Sequence, residues 1–262
     1  MTGVLHKRKH IEEVEFAPRV LRSSGCSPVV LVCEHAAARI PKEFQNLGLT
    51  TRDLDSHIAW DPGALETATC LSELLGAPLI FSAVSRLVYD CNRPPEAESA
   101  VPVQSETTLI PGNMNLSQAE RQSRVERFYT PFEALLSTTL DNRQDPTILV
   151  TIHSFTPVYR GERRSVEIGI LHDNDSRLAD VILQVAHGFK IARNSPYGPD
   201  DGVTHTLRQH ALPRGILNVM IELRNDLIKT PGQCEEMAHN LACWLSQALP
   251  LCTPTPASET KK

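Results

Sequence analysis

No apolar run in the 262-residue chain approaches the roughly 20 residues that a helix needs to cross a bilayer. The first 26 residues alternate charge with short apolar groups and lack the continuous apolar core of a secretory signal. A basic stripe is also missing, and the net charge of −5 gives no electrostatic reason to expect a nucleic acid or a membrane surface as partner. The seven cysteines include no C-x-x-C pair. Their odd number argues against a complete disulfide framework and their scatter against a zinc ribbon, so a reduced, cytoplasmic protein is expected. H-E-x-x-H, a P-loop and G-x-S-x-G are all absent, which removes three local signatures of hydrolytic and phosphate chemistry. The chain shows neither internal repeats nor a domain linker.

What remains is an alternation of strand-like and helix-like segments in a chain that is 41% hydrophobic, enough for one substantial domain. Strands are predicted at 28–34, 78–84, 147–153, 165–172 and 216–223, with weaker ones at 86–90 and 189–192. Several are nearly continuous apolar runs, as in sheets covered on both faces. Asp61 is placed to cap a helix that has Pro62 in its first turn and Gly76 just past its end. Ser117 and Glu120 have capping-box spacing, and Pro131 should kink or divide the helix that follows. Ser176 starts an amphipathic segment, and Thr230-Pro231 opens a final helix. The pattern is that of a three-layer α/β domain. Residues 1–252 read as a single domain with an N-terminal extension over 1–26, and 253–262 as a disordered tail. Between Asn92 and Leu116 lies a long irregular stretch of the kind that forms lids or binding loops.

Ligands of open α/β sheets collect outside the carboxyl ends of the strands. There the first predicted strand delivers Glu34-His35, two residues that are costly to bury without partners. "LVTIHSF" delivers His153 and Ser154, and "NVMIELRND" delivers Glu222 with Arg224 and Asp226 just beyond. "SRLVYDCNRP" delivers Asp90, Asn92 and Arg93, and "HIAWDPGA" adds His57 and Asp61. Taken singly, each has an ordinary reading: Asp61 as a helix cap, Glu222 as the partner of an arginine, Asn92-Arg93-Pro94 as a turn. Taken together, two histidines and several carboxylates from separate strands form a ligand set suited to a catalytic zinc, with three protein groups and one open position.

"CEHAAARIP", "HIAWDPGA", "SRLVYDCNRP", "TIHSFTP", "YGPDDGVTHTL" and "VMIELRNDL" occur in this order. As an ordered set over about Ser27 to Leu227 they resemble the N-formylglutamate amidohydrolase family, whose members are similar in fold to zinc-dependent exopeptidases and aspartoacylase. The resemblance implies a three-layer αβα fold around a mixed, largely parallel sheet, and hydrolysis of the amide bond of an N-acyl amino acid such as N-formyl-L-glutamate. It implies one divalent metal ion, zinc, held by His35, His153 and Asp61, and Glu222 as general base or acid. Asn92 and Arg93 would hold a substrate carboxylate, with Arg86 adding positive charge. Glu34, Arg224 and Thr204 are secondary candidates, Glu34 either behind a ligand or on the metal itself. The partner implied is a small anionic acyl amino acid, and the oligomeric state is left open. One departure is Ala36-Ala37, where relatives commonly carry a serine. "YRGERRS" at 159–165 is either a solvated basic loop or a cover for an acidic substrate. Two rival readings are a nucleophilic hydrolase using Ser154 or Cys33 and a metal-free protein that binds an acidic ligand.

Overall fold

The computed structural model describes residues 15–143 and 147–252. The tail expected at 253–262 and the first part of the expected N-terminal extension lie outside the described residues. Seven strands form one sheet: β1 (Arg19–Leu21), β2 (Val29–Cys33), β3 (Leu79–Phe81), β4 (Ile148–Phe155), β5 (Ile168–Leu171), β6 (Ile191–Arg193) and β7 (Leu217–Arg224). Their order across the sheet is β1-β3-β2-β4-β7-β5-β6. β3, β2, β4 and β7 run parallel, β1 pairs antiparallel to β3, and β5 pairs antiparallel to β7. The sheet is therefore mixed and largely parallel. The weak strand expected at 86–90 does not form. Its backbone closes on itself instead, with the N–H groups of Val88 and Tyr89 donating to the carbonyl of Ser85. β1, by contrast, lies inside the stretch expected to be an extension.

Side-chain alternation along the strands divides the interior in two. Val29, Leu31, Val150, Ile152, Val219 and Ile221 point to one face of the sheet. There they meet α1 (Ala64–Leu75), which is followed in chain order by α2 (Gln118–Arg124) and α3 (Thr130–Asp141), and also α4 (Arg177–Val185) and α5 (Pro231–Cys252). Val30, Val32, Leu149 and Met220 point the other way, against Phe132 and Leu136 of α3 and the turns around Val88 and Ile110. Three layers result, and Trp244 of α5 is among the largest fully buried side chains.

The helix ends follow the chain chemistry with one informative exception. Ser117 and Glu120 form the expected capping box, and a π turn over 125–129 precedes α3, which has Pro131 in its first turn. Gly76 closes α1 in a left-handed conformation. Asp61, however, does not cap α1: Gly63 takes that position with φ +79°. A side chain at Gly63 would also meet the carbonyl oxygen of Ile228 at 2.2 Å. The helix thus starts two residues late, and the Asp61 carboxylate is free for other partners.

Candidate active site

The polar residues at the sheet edge share one face because their strands are in register. Glu222 of β7 is the Cα partner of His153 on β4, so in parallel strands the two side chains lie side by side. Glu34 continues the Val30–Val32 face beyond the end of β2, and its Oε2 lies 3.0 Å from Nε2 of His153. His35 follows where the chain leaves the sheet. Asp61 arrives from the turn before α1, and its backbone N–H donates to the carbonyl of His35.

Three atoms converge at the centre. His35 Nδ1 and Asp61 Oδ2 are 3.3 Å apart, His153 Nδ1 and Asp61 Oδ2 3.1 Å, and the two Nδ1 atoms 3.2 Å. Each outer ring nitrogen faces a carboxylate: His35 Nε2 is 2.6 Å from Asp90 Oδ1, and His153 Nε2 faces Glu34. When the outer nitrogens carry their protons toward those carboxylates, both Nδ1 atoms present lone pairs to each other and to the Asp61 carboxylate. Three acceptors turned on one point could hold a metal ion between them. A tetrahedral zinc with bonds of about 2.1 Å sets its ligand atoms about 3.4 Å apart, close to the spacing here. Carboxylates behind the two imidazoles supply the usual outer support of such ligands. His35, Asp61 and His153 therefore fit a zinc-type ion, and Glu34 stands behind His153 and does not take part in the triangle.

The electrostatics point the same way. Burial pushes the Asp61 carboxyl up, but the two histidines outweigh it and hold it far below the usual carboxylate range. Burial likewise opposes Asp90, which His35 and Arg86 hold well below its ordinary value. Burial and Arg86 push His35 down, yet Asp90 and Asp61 raise it on balance. His153 is raised well above the ordinary imidazole value by Glu34 and Asp61 against burial. Glu222 behaves differently. It is 4% exposed, its Oε2 has no hydrogen-bond partner among the described residues, and burial raises its pKa to about 7.

His35, Asp61 and Glu222 line a cavity of about 260 Å³ together with Arg86, Asn92 and Arg93. Arg86 is committed to Asp61 and Asp90, at 3.4 and 3.1 Å. Asn92 clips a neighbouring segment: its Oδ1 accepts from the N–H and hydroxyl of Thr206, and its amide nitrogen donates to the carbonyl of Val203. Arg93 gives its Nη1 protons to the carbonyl oxygens of Asn92 and Gly202. The Nε–Nη2 edge of its guanidinium has no acceptor among the described residues. Tyr159 and Tyr197 form another wall, braced by Arg164, whose guanidinium carbon lies 4.5 and 4.8 Å from their ring centres.

The secondary candidates lie elsewhere. Arg224 is tied to Asp226 and Glu167, and the hydroxyl of Thr204 donates to Asp173. Neither they nor Glu34 line the cavity. Ala36 and Ala37 line a separate apolar cavity with Trp60 and Phe81, so the missing serine hydroxyl removes nothing from the polar one. The nucleophile readings find no support in the geometry. Ser154 donates its hydroxyl to the carbonyl of Pro62 and its N–H to Asp61. Cys33 is fully buried among the apolar residues on the opposite face of the sheet, and burial with nearby carboxylates pushes its thiol pKa well up. The ribbon tip at Glu106 carries no local motif that would mark it beforehand, Arg160 was marked only as part of the basic stretch "YRGERRS", and Tyr197 stands out only as part of "YGPDDG".

Fold and site together define an amidohydrolase-type α/β domain, with its polar centre at the carboxyl edge of a mixed sheet. The family model for N-formylglutamate amidohydrolase matches residues 27–229, and the chain belongs to that family. A gene product of Agrobacterium tumefaciens of solved structure is 53% identical, with a TM-score of 0.89 over 91% of this chain and 97% of that one. The N-formylglutamate amidohydrolase of Ralstonia eutropha shares the fold at 18% identity, with a TM-score of 0.57 over 90% of this chain and 97% of that one. No curated protein matches the chain.

Proposed function

We propose that this protein is a metal-dependent amidohydrolase that cleaves an N-acyl amino acid, with N-formyl-L-glutamate as the first substrate to test and glutamate and formate as its products. The observation that carries the reading is the triangle of acceptor atoms on His35, Asp61 and His153, backed by Glu34 and Asp90, beside an unpartnered buried glutamate. His35, Asp61 and His153 would hold the ion. A bound divalent ion supplies Lewis-acid polarisation of the amide carbonyl and a more acidic water.

The rest of the work falls to the chain. Glu222 takes the proton of the attacking water on Oε2 and hands it to the leaving nitrogen, a task suited to a carboxyl group that burial has brought near pH 7. Arg93 receives the substrate carboxylate on its Nε–Nη2 edge as a two-pronged, charge-assisted hydrogen bond. Asn92 holds the segment around Val203 and Thr206 that forms the adjoining wall. Arg86 keeps Asp61 and Asp90 in place while adding positive charge to the cavity. No described helix is long and apolar enough to cross a membrane, and a small anionic substrate reaching the protein from solution suits that.

The test is elemental analysis combined with hydrolysis of N-formyl-L-glutamate. We expect about one zinc-type ion per chain. The near-isosteric Asp61→Asn variant should keep its far-UV circular dichroism and hold at least about tenfold less metal, with hydrolysis lost in proportion. Full metal content and full activity in Asp61→Asn would return Asp61 to a structural role and end this reading.

A further inference from the structure

Beside the catalytic cavity lies a second one of about 440 Å³ that shares Arg86, Arg93, Glu106 and Tyr159 with it and extends to Asp90 and Arg160. Its charges can be followed one by one. Asp90 is matched by His35 and Arg86. Glu106 lies 3.1 Å from the ring nitrogen of His57 and also accepts the backbone N–H of Arg160 at 3.3 Å. Two guanidiniums in this cavity have no carboxylate partner among the described residues. One is Arg93, whose Nη1 protons go to carbonyl oxygens. The other is Arg160, whose guanidinium carbon lies 5.3 Å from the centre of the Tyr159 ring. The second cavity thus sets three guanidiniums against two carboxylates, and two of those guanidiniums have no direct carboxylate contact among the described residues.

Arg160 is held there by backbone that few side chains choose. It sits with Gly161 at the tip of a ribbon pairing Val158–Tyr159 with Glu162–Arg163, and the two tip residues have φ +50° and +85°. That is the two-residue hairpin turn in which asparagine and glycine are the usual occupants. Opposite is a second ribbon, Gln104–Ser105 with Thr108–Leu109, whose tip residue Glu106 also has φ +50°. The Arg160–Glu106 hydrogen bond ties the two tips together. Left-handed arginine and glutamate cost about 1 kcal/mol or more each, and such strain gathers at binding sites. The basic stretch "YRGERRS" is thereby divided: Arg164 braces the tyrosines, and Arg160 is presented to the cavity.

We propose that Arg160 is a specificity-determining residue that binds the side-chain carboxylate of an acidic amino-acid moiety, while Arg93 binds its α-carboxylate. The acyl group then lies toward Glu222, and the amino-acid part with its two carboxylates lies in the second cavity. This rests on the reading of the site given above and adds to it the residue that selects the dianion. A site built to pair a carboxylate discriminates strongly against its neutral isostere, because a guanidinium then loses its partner.

The test compares parent protein, Arg160→Gln and Arg160→Lys by calorimetric binding of L-glutamate and L-glutamine, and by kcat/KM for their N-formyl derivatives. We expect the parent to prefer the glutamate member of each pair. That preference should fall at least about tenfold in Arg160→Gln and recover in part in Arg160→Lys. A merely structural role for Arg160 would weaken both members of a pair alike and leave the ratio where it was. A parent without preference, or an Arg160→Gln variant that keeps it, overturns the proposal. Product binding needs no turnover, so the two readings fail separately. An Arg160-dependent preference in a protein that cleaves neither derivative would end the catalytic reading alone. Cleavage of N-formyl-L-glutamate with the preference intact in Arg160→Gln would end this one alone.

Discussion

Glu222 shows how a position on a strand sets the surroundings of one side chain. Its neighbours on β7 are apolar and buried, and the register with β4 sets it beside His153. Burial without a partner for Oε2 keeps its proton exchangeable near neutral pH. Glu222→Gln preserves size and removes the proton acceptor. The variant should keep its metal and its product affinity while kcat falls by at least about 100-fold, measured by steady-state kinetics on N-formyl-L-glutamate beside elemental analysis. Much of this centre was readable residue by residue, since His35, His153, Asp61 and Glu222 each end an apolar run or open a helix. The second half of Asp61's story was not readable. Its position before Pro62 reads equally well as a cap, and only the fold shows the helix starting later, at a left-handed Gly63 packed against Ile228, 165 positions further along the chain. Asp90 was visible as a strand-end acid, but its place behind His35 depends on a turn that the β-rich composition of 86–90 conceals.

At the level of elements, the site depends on how closely β5 lies against β7. Gly169 of β5 is the Cα partner of Glu222. An added Cβ there would stand 2.3 Å from the Ser195 carbonyl oxygen and 3.3 Å from the Glu222 Cβ. Gly169→Ala should therefore lower the unfolding free energy by about 2 kcal/mol or more and reduce kcat through a displaced Glu222, as read by urea denaturation and by kinetics on the folded fraction. The long strands and the capped helices were legible because each carries its own periodicity or end signal. The ribbons at Gln104–Ser105/Thr108–Leu109 and Val158–Tyr159/Glu162–Arg163 were not. Strands of two residues have no periodicity to read, and their tips meet through contacts between remote parts of the chain.

For the molecule as a whole, the three layers form as the alternating pattern required and the sheet is mixed as the family resemblance implied, while β1 came from a stretch too short and too charged to announce itself. Acid should loosen the domain through a group outside the catalytic centre. Burial, reinforced by Arg214, lowers the pKa of His210 from 6.5 to about 4. The unfolded chain then takes up the proton first, so this contribution is intact above about pH 6.5 and is lost as pH falls toward 4. Between pH 8 and pH 5 it removes about 2 kcal/mol. Denaturation curves of the parent and of His210→Leu at both values should differ in pH dependence by that amount, and parallel curves would show that His210 is not the group responsible.

The sheet ends at each margin in a strand of three residues, β1 and β6, and among the described residues no further strand pairs beyond them. Each carries an arginine, Arg19 or Arg193. The central strands are rich in the β-branched, apolar sequences that form fibrils when laid edge to edge. A stranger arriving at either margin finds only a three-rung ladder, so the sheet is poorly suited to recruiting another. The brevity of the outermost strands thus guards solubility, and lengthening either one with apolar residues would put that at risk.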